Sequence, residues 1–248
     1  MDKDNFLNNI EIVLCNTSHP GNIGAAARAI KTMGVYNLAL VAPRVAIDDH
    51  ALALASNAGD VVQNAQIHPD LSSAIAASHL VIALTGRKRE FNQHLQTPKE
   101  ILPEIFATIA AGHKVSIVFG NEQSGLSIEQ LEQCNRRVTI AGNPAYFSLN
   151  LAQAVQIIAY EIYSNYTPDL SALKSPCELI NQHDLQHLLE NWDNLLTRSN
   201  YYKHKNKSRV LRRLQKILHK ANLEREESDL LHGIFKHLAK SEHHELQQ

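Results

Sequence analysis

The sequence has little of what marks secreted, metal-binding or membrane proteins. Its 248 residues include three cysteines, Cys15, Cys134 and Cys177, which lie far apart and show no metal-ligand spacing. This cysteine usage is typical of a reduced compartment. No apolar run is long enough to cross a bilayer, and the acidic and polar start MDKDNFLNN does not resemble a signal peptide. We therefore expect a cytoplasmic protein without a membrane partner.

The common nucleotide-binding motifs are also missing. There is no G-x-x-x-x-G-K-[ST] pattern, and no G-x-G-x-x-G follows the first predicted strand, where Gly21 and Gly24 alone are weak evidence. These absences argue against a nucleoside triphosphatase and a standard dinucleotide oxidoreductase. The fourteen histidines are scattered without a convincing ligand pair, so the sequence predicts no metal site.

The residues that are present predict a packed α/β domain. Hydrophobic residues make up 44% of the chain and charged residues 20%, which is ample for a core. Up to residue 165, short apolar runs alternate with helical patterns. The predicted strands are 10–15, 37–41, 79–84, 114–119 and 137–140. The predicted helices are Ile23–Met33 stopped by Gly34, a short one at 50–55, one from near Pro98, and Ser148–Tyr163. This alternation favours a parallel sheet with helices on both faces.

The composition changes after the last of these helices. The segment NYTPDLSALKSP has two prolines and no strand pattern, and we interpret residues 166–176 as a linker between a first domain, 1–165, and an extension, 177–248. The extension reads as wholly helical, with helices at about 181–197, 205–221 and 224–240.

The segments that follow the strands carry the residues suited to ligand binding. In open parallel sheets, ligands collect at the carboxyl ends of the strands. These segments are rich in Gly, Ser, Thr and Asn, and they read NTSHPGNIGAAARAI, TGRKREF, GNEQSGLS and AGNPAYFSLNLAQAV. We therefore expect the functional site at this rim of the sheet.

Three of these segments resemble, in order and spacing, the motifs of the SpoU branch of the SPOUT superfamily of RNA methyltransferases. The matching segments are HPGNIGAAARA (19–29), FGNEQSGL (119–126) and NPAYFSLNLAQAV (143–155). The resemblance covers about the first 165 residues. It implies a C-terminal trefoil knot in the sheet domain, S-adenosylmethionine as methyl donor, and a homodimer whose active site is shared across the interface.

The resemblance also implies a substrate. The form of the third motif and the helical extension are similar to those of tRNA 2'-O-methyltransferases in this branch, which points to the ribose of cytidine or uridine at position 32 of the anticodon loop. Two alternatives stay open: 2'-O-methylation of ribosomal RNA, and a non-catalytic RNA-binding protein on the same scaffold.

By the resemblance, the catalytic residues are Arg28, Glu122, Ser148 and Asn150. Arg28 could instead be a helix-surface residue in a salt bridge, and Glu122 a first-turn carboxylate favoured by the helix dipole. Arginine is a poor base, because the ordinary pKa of a guanidinium lies far above neutral pH. Orienting the nucleotide and stabilising a developing alkoxide are easier roles for it.

Helix capping is the alternative for the polar residues beside the predicted helices. Ser148 is a plausible N-cap of the last helix of the first domain, and Asn22 either caps the first helix or contacts RNA. Leu149 and Leu151 alternate with Ser148 and Asn150, and we expect them to pack in the core.

The donor site should be an apolar slot with mainly backbone hydrogen bonds. By matching position, it is formed by Leu84, Thr85, Gly86, Gly120, Ile140, Phe147, Ser148, Leu149, Asn150 and Ala152.

RNA contacts are predicted in two basic segments. Arg87, Lys88 and Arg89 follow the 79–84 strand, beside the expected site. Between residues 198 and 220 the sequence has no Asp or Glu, although the net charge of the chain is -1. This stretch holds Lys203, Lys205, Arg209, Arg212 and Arg213, preceded by Tyr201 and Tyr202. A solvated helix face is the alternative; the mixture of cations and aromatics favours tRNA binding.

Overall fold

The structure is a computed structural model, and it describes residues 6–86, 95–143, 145, 148–166, 178–203 and 205–245. The chain divides into two compact units, residues 1–175 and 176–248.

The first unit is built on a six-stranded parallel sheet. Its strands are β1 Ile10–Cys15, β2 Asn37–Val41, β3 Gln66–His68, β4 Leu80–Leu84, β5 Val115–Phe119 and β6 Arg136–Val138. They lie in the order β3-β2-β1-β5-β4-β6, and every pairing is parallel. The three central strands β1, β5 and β4 are nearly continuous apolar runs because helices cover both of their faces. The predicted parallel sheet is therefore confirmed, although the short edge strand β3 was missed.

Helices connect the strands. In the first unit they are α1 Pro20–Thr32, α2 Asp49–Ala55, α3 Gly59–Gln63, α4 Leu71–Ile75, α5 Pro98–Ala110, α6 Ile128–Glu132 and α7 Leu151–Asn165, with a 3-10 turn at Ser56–Ala58. The sequence predicted α1, α2, α5 and α7. It missed α3, α4 and α6, which have five residues each and are too short to show a helical period.

In β1, β2, β4 and β5, alternate residues contribute to two separate cores. Ile12 and Leu14 of β1 belong to the larger core, which includes Ile23 and Ile30 of α1 and Val155 of α7. On the other face, Val13 and Cys15 pack with Leu71 of α4 and Leu131 of α6. This division follows from the two-residue period of a strand.

The structure explains why glycine occupies one position inside α1 and one just after its end. A Cβ at Gly24 would run into the backbone of Ala51 in α2, so only glycine allows the two helices to approach this closely. Gly34 follows the end of α1 with φ +69° and donates its N–H to the Lys31 carbonyl at 3.0 Å. It ends the helix in the left-handed conformation that glycine favours, as the sequence predicted.

Two segments flank β6 from opposite sides. The Thr85 N–H donates to the Val138 carbonyl at 2.9 Å on the side of β4. The Gln96 N–H donates to the Arg137 carbonyl at 3.1 Å, and its carbonyl accepts from the Thr139 N–H at 2.9 Å. Because the backbone groups of successive strand residues point to opposite edges, Gln96 lies on the side away from β4. The trefoil knot stays a prediction.

The second unit consists of the helices α8 Gln182–Arg198, α9 Lys207–Ala221 and α10 Arg225–Glu245. Its core is formed by Ile180, Leu185, Leu188, Leu189, Leu218 and Phe235. Asn181 and Asn206 cap α8 and α9 with side-chain oxygens that accept backbone N–H groups. The predicted helical extension is confirmed. The predicted linker lies outside the described residues except for Tyr166, and the domain boundaries stay predictions.

None of the helices in the described ranges is long and apolar enough to cross a membrane.

Candidate active site

The loops after β4, β5 and β6 enclose a pocket at the carboxyl rim of the sheet. Its volume is about 460 Å³. Leu84, Thr85 and Gly86 form one wall, residues 119–126 form a second, and Ile140, Ala145, Ser148, Leu149, Leu151 and Ala154 complete the lining. The pocket therefore combines apolar side chains with loop backbone, as a site for an adenosine-like molecule requires.

The loop after β5 is folded tightly by Asn121. Its Nδ2 donates to the Asn16 carbonyl at 2.7 Å, and its Oδ1 accepts from the Gln123 N–H at 2.9 Å. Its carbonyl accepts the Gly125 N–H at 2.8 Å. A Cβ on Gly120 would meet the backbone of Gly125 and Leu126 on the opposite limb of this loop. Glycine at position 120 is therefore required for the loop to close on itself.

Glu122 is bound to the loop that follows β1. Its carboxylate accepts from the Ser18 Oγ at 2.8 Å, from the Ser18 N–H at 3.1 Å and from the Asn22 Nδ2 at 2.9 Å. Burial raises the pKa of Glu122, but the hydrogen bonds from Asn22, its own backbone and Ser18 outweigh burial and lower the pKa below its ordinary value. Glu122 is thus held as a carboxylate. It lies in a turn, so the first-turn interpretation is wrong.

Asn22 extends this contact to the last motif. Its Oδ1 accepts from the Asn150 Nδ2 at 3.0 Å, while its Nδ2 donates to Glu122. Pro20 begins α1 and His19 is the N-cap, so the N-cap interpretation of Asn22 is wrong. Proline suits the first helical turn because its missing N–H would be unpaired there, and this shifts the start of α1 ahead of the predicted Ile23.

Asn150 begins α7. Its Oδ1 accepts from the Ala152 N–H at 2.9 Å, and its own N–H donates to the Gln153 side chain at 3.3 Å, which completes a capping box. Ser148 is therefore not the N-cap; it lies on the pocket wall. One hydrogen-bonded chain, from Glu122 through Asn22 to Asn150, joins the three motif segments.

Arg28 lies in the third turn of α1. Its side chain is exposed between the buried Ala27 and Ala29. Among the residues that the structure describes, no hydrogen bond or ion pair engages the Arg28 guanidinium, so the salt-bridge alternative finds no support there. The charge is available to a ligand or to another chain.

Comparison with known proteins identifies the family. Residues 9–160 match the SpoU rRNA methylase family, which is more than half of the chain. The chain belongs to the SpoU methylase family. Residues 183–247 match the C-terminal domain of the tRNA methyltransferase TrmJ.

Individual relatives of this SpoU-family chain include tRNA (cytidine/uridine-2'-O-)-methyltransferase TrmJ of Escherichia coli strain K12. The two are 38% identical over 235 residues, which cover 92% of this chain and 94% of the relative. The crystal structure of TrmJ from Z. mobilis ZM4 matches with a TM-score of 0.81 and 30% identity, over 92% of this chain and 98% of that chain. A methylase family protein from Neisseria gonorrhoeae matches with a TM-score of 0.68 and 41% identity, over 75% and 94%.

The structure brings together most of the residues assigned through the SpoU resemblance. Leu84, Thr85, Gly86, Gly120, Ile140, Ser148 and Leu149 line the pocket, as does Glu122. Asn150 instead belongs to the hydrogen-bonded chain, and Ala152 is buried in the core. Leu149 is 42% exposed, so it does not pack in the core as expected, whereas Leu151 does. Phe147, Arg87, Lys88 and Arg89 lie outside the described residues.

Sequence reasoning missed other members of the SpoU-family site. Ser18 holds Glu122 with two groups, and residues 123–126 line the pocket. The signal for residues 123–126 was present, since they directly follow β5 at the predicted rim. The sequence contains no signal for Ser18, because nothing separates it from the other small polar residues of its loop. Only the contact with Glu122 from another loop identifies it.

The second unit presents its predicted RNA-binding residues to solvent. Lys203, Lys205, Arg209, Arg212 and Arg213 are all exposed. The Lys205 Nζ lies 3.4 Å from the centroid of the Tyr201 ring, a cation–π contact. Their role in RNA binding stays a prediction.

Among the described residues, no three His, Cys, Asp or Glu side chains are placed to share a metal ion.

Proposed function

We propose that this protein is an S-adenosylmethionine-dependent tRNA 2'-O-methyltransferase that modifies the ribose of cytidine or uridine at position 32. The strongest support is the 38% identity, over 92% of the chain, to relatives named for cytidine and uridine 2'-O-methylation of tRNA. The observation in the structure that carries the proposal is the chain of hydrogen bonds from Glu122 through Asn22 to Asn150, beside a pocket of nucleoside size.

The pocket suits the methyl donor of this family. SpoU methyltransferases use S-adenosylmethionine, which supplies an electrophilic methyl group on a sulfonium sulfur. Leu84, Ile140 and Leu149 offer apolar contacts for an adenine, and Gly86 offers backbone groups at its edge. The close approach at Gly120 keeps the loop after β5 in the shape that forms the opposite wall.

The side chains around the pocket position the reactants. The hydrogen bonds of Asn22 fix α7 and the loop after β5 relative to α1, and such fixed geometry is a large part of catalysis. A guanidinium offers several N–H donors and no acceptor, so we assign Arg28 to binding the target phosphate or ribose and to stabilising the 2'-oxygen as its proton leaves. A water molecule or a substrate phosphate takes that proton.

We also propose that the protein acts as a homodimer with shared active sites. Arg28 is exposed on α1, and the partly exposed Ala25 one turn before it is small enough for another chain to approach closely. Under this proposal, Arg28 of one subunit serves the pocket of its partner, and the basic second unit contacts the tRNA. The cytoplasmic location is part of the same proposal, and buried free thiols at Cys15 and Cys134 are compatible with a reducing compartment.

The test is a transfer assay with a labelled methyl donor and separated tRNA and ribosomal RNA. We expect label on 2'-oxygens of cytidine or uridine in tRNA, mapped to position 32 by fragment analysis. Label in ribosomal RNA alone, or RNA binding without transfer, would contradict the proposal. Arg28→Ala should abolish transfer but keep donor binding, and loss of donor binding would show that Arg28 has another role.

A further inference from the structure

A groove between α8 and α10 has a composition that helix packing does not explain. It has a volume of about 380 Å³. Asn191, Asn194, Leu195 and Arg198 line it from α8, and His232, Phe235 and Lys236 line it from α10. Their spacing of three and four residues places each set on one stripe of its helix.

The groove continues a seam that begins as an apolar core. The amino-terminal half of α8 contributes Leu185, Leu188 and Leu189 to that core, and Trp192 packs edge-on against Phe235 with ring centroids 4.9 Å apart. Beside the carboxyl-terminal half of α8 the seam becomes polar: of the seven groove residues on α8 and α10, five are polar or charged. Apolar residues at these positions would extend the core and stabilise the unit, so polar ones at a helix seam indicate a function.

The charges of the groove have one sign. Arg198 and Lys236 line it, and neither forms an ion pair with any residue in the described ranges. The neighbouring carboxylate of Asp193 is already occupied, since it pairs with the Lys207 Nζ at 2.8 Å and accepts from the Tyr202 hydroxyl at 3.2 Å. The groove therefore attracts an anion.

The remaining groups add hydrogen bonding and an apolar floor. Asn191 and the His232 Nδ1 are joined by a hydrogen bond of 2.9 Å, which fixes both side chains at one wall. Asn194 is exposed, so its amide can both donate and accept. Phe235 and Leu195 supply apolar surface at the base. Phosphate-binding cations, a free amide and an apolar floor together fit a nucleotide.

We propose that this groove binds a single unpaired nucleotide of the tRNA substrate. Arg198 and Lys236 bind its flanking phosphates, and Asn194 contacts the edge of its base. Unpaired nucleotides are the usual targets of sequence-dependent RNA recognition because their base edges are accessible. The inference rests on the proposed function, from which it takes tRNA as the substrate, and it assigns part of the recognition to a site away from the donor pocket.

The first test compares tRNA binding by the Arg198→Ala/Lys236→Ala double variant with that of the wild type. We expect the Kd for tRNA to rise at least about tenfold at moderate salt, and the slope of log K against log salt to fall by about 1.4, as expected for two single-strand phosphate contacts. The KM for tRNA should rise and kcat should stay the same, because the donor pocket is unchanged. Lys99→Ala/Lys114→Ala removes two exposed cations from the first unit and is the matched control.

A second variant tests the base contact and keeps both charges. Asn194→Ala should weaken binding of tRNA and of a single-stranded oligonucleotide, and leave binding of a fully paired RNA duplex unchanged. Equal Kd values for the Arg198/Lys236 variant and the Lys99/Lys114 control would overturn the proposal. The proposal would also be overturned if free cytidine or uridine monophosphate bound in the groove but neither groove variant changed the Kd for tRNA.

The outcomes for the groove and for the catalytic proposal are separable. If the wild type binds tRNA through this groove but transfers no methyl group, the catalytic proposal fails and the groove stands. If methyl transfer to tRNA proceeds with the same KM in the groove variants, the groove fails and the catalytic proposal stands. Circular dichroism of each variant establishes that α8–α10 remain folded.

Discussion

Asn22 and Asn150 stand 128 positions apart in the chain, and their side-chain amides are joined by a hydrogen bond of 3.0 Å. The same Asn22 amide donates to Glu122 at 2.9 Å. One side chain near the start of α1 thus holds both the loop after β5 and the first residue before α7. The pocket depends on this contact because two of its walls belong to those segments.

Removing the Asn22 amide should therefore impair catalysis. We expect Asn22→Ala to reduce kcat about 10- to 100-fold, because small displacements of reacting groups have effects of this size. Its free energy of unfolding should fall by about 1–3 kcal/mol, since a partly buried carboxylate loses a donor. Asn165→Ala, at the far end of α7, is the control, and equal turnover of the two variants would contradict the role of Asn22.

Glu122 should stabilise the fold in a pH-dependent way. The pKa of Glu122 is lowered below 4.5 in the folded protein, so at acidic pH the unfolded chain binds more protons than the folded one. The free energy of unfolding therefore decreases as the pH is lowered. The difference in free energy of unfolding between wild type and Glu122→Gln should be constant at neutral pH, decrease below about pH 4.5, and be lost as the folded carboxylate is protonated. Chemical denaturation at several pH values measures it; a difference independent of pH would exclude this linkage.

Glu11 should have the opposite effect. Burial in the sheet raises its pKa above 4.5, although the Ser116 hydroxyl, His68 and Lys114 oppose the shift. The folded state then binds the extra proton, so the charged form lowers stability as pH rises through the folded pKa. Glu11→Gln keeps an acceptor for Ser116 and should be more stable than wild type at neutral pH, with the gain disappearing below about pH 4.5. A gain that persists at low pH would point to a cause other than ionisation.

Gly120 tests the shape of the donor pocket. Alanine there would push against the backbone of Gly125 and Leu126, so the loop must shift. We expect Gly120→Ala to weaken S-adenosylmethionine binding at least about tenfold, measured by calorimetry, given that overpacking costs about 1–3 kcal/mol. Gly233→Ala is the matched control because a Cβ there meets nothing within 4 Å. It should leave donor binding intact and, within helix α10, raise stability by up to about 1 kcal/mol.

Shared active sites can be tested by mixing two inactive chains. At a methyl-donor concentration well below the Kd of the Gly120→Ala variant, Arg28→Ala and Gly120→Ala subunits should each have little activity alone. If Arg28 serves the partner's pocket, co-expressed heterodimers contain one intact site, and random pairing should restore about one quarter of the wild-type rate. Two differently tagged chains and a transfer assay provide the measurement. No recovery in verified heterodimers would place Arg28 and the pocket in the same subunit.

The extent of sequence prediction follows from the range of the interactions involved. The sequence predicted β1 and β2 at their observed bounds because each is a mainly apolar run of five or six residues. It missed β3, whose three residues are mostly exposed at the sheet edge. It also favoured Ser148 over Asn150 as the N-cap of α7. Both residues can cap a helix, and in the folded chain the Asn150 side chain forms the cap and also reaches Asn22.

The sequence by itself determined the alternation of strands and helices, the rim that carries the motifs, and the basic helical extension. These features follow from the side-chain period and from charge along neighbouring residues. Tertiary structure alone decided the strand order, the pairing of Glu122 with Ser18 and Asn22, and the polar groove between α8 and α10. Each of these joins residues far apart in the chain, and such contacts form only when packing brings whole elements together.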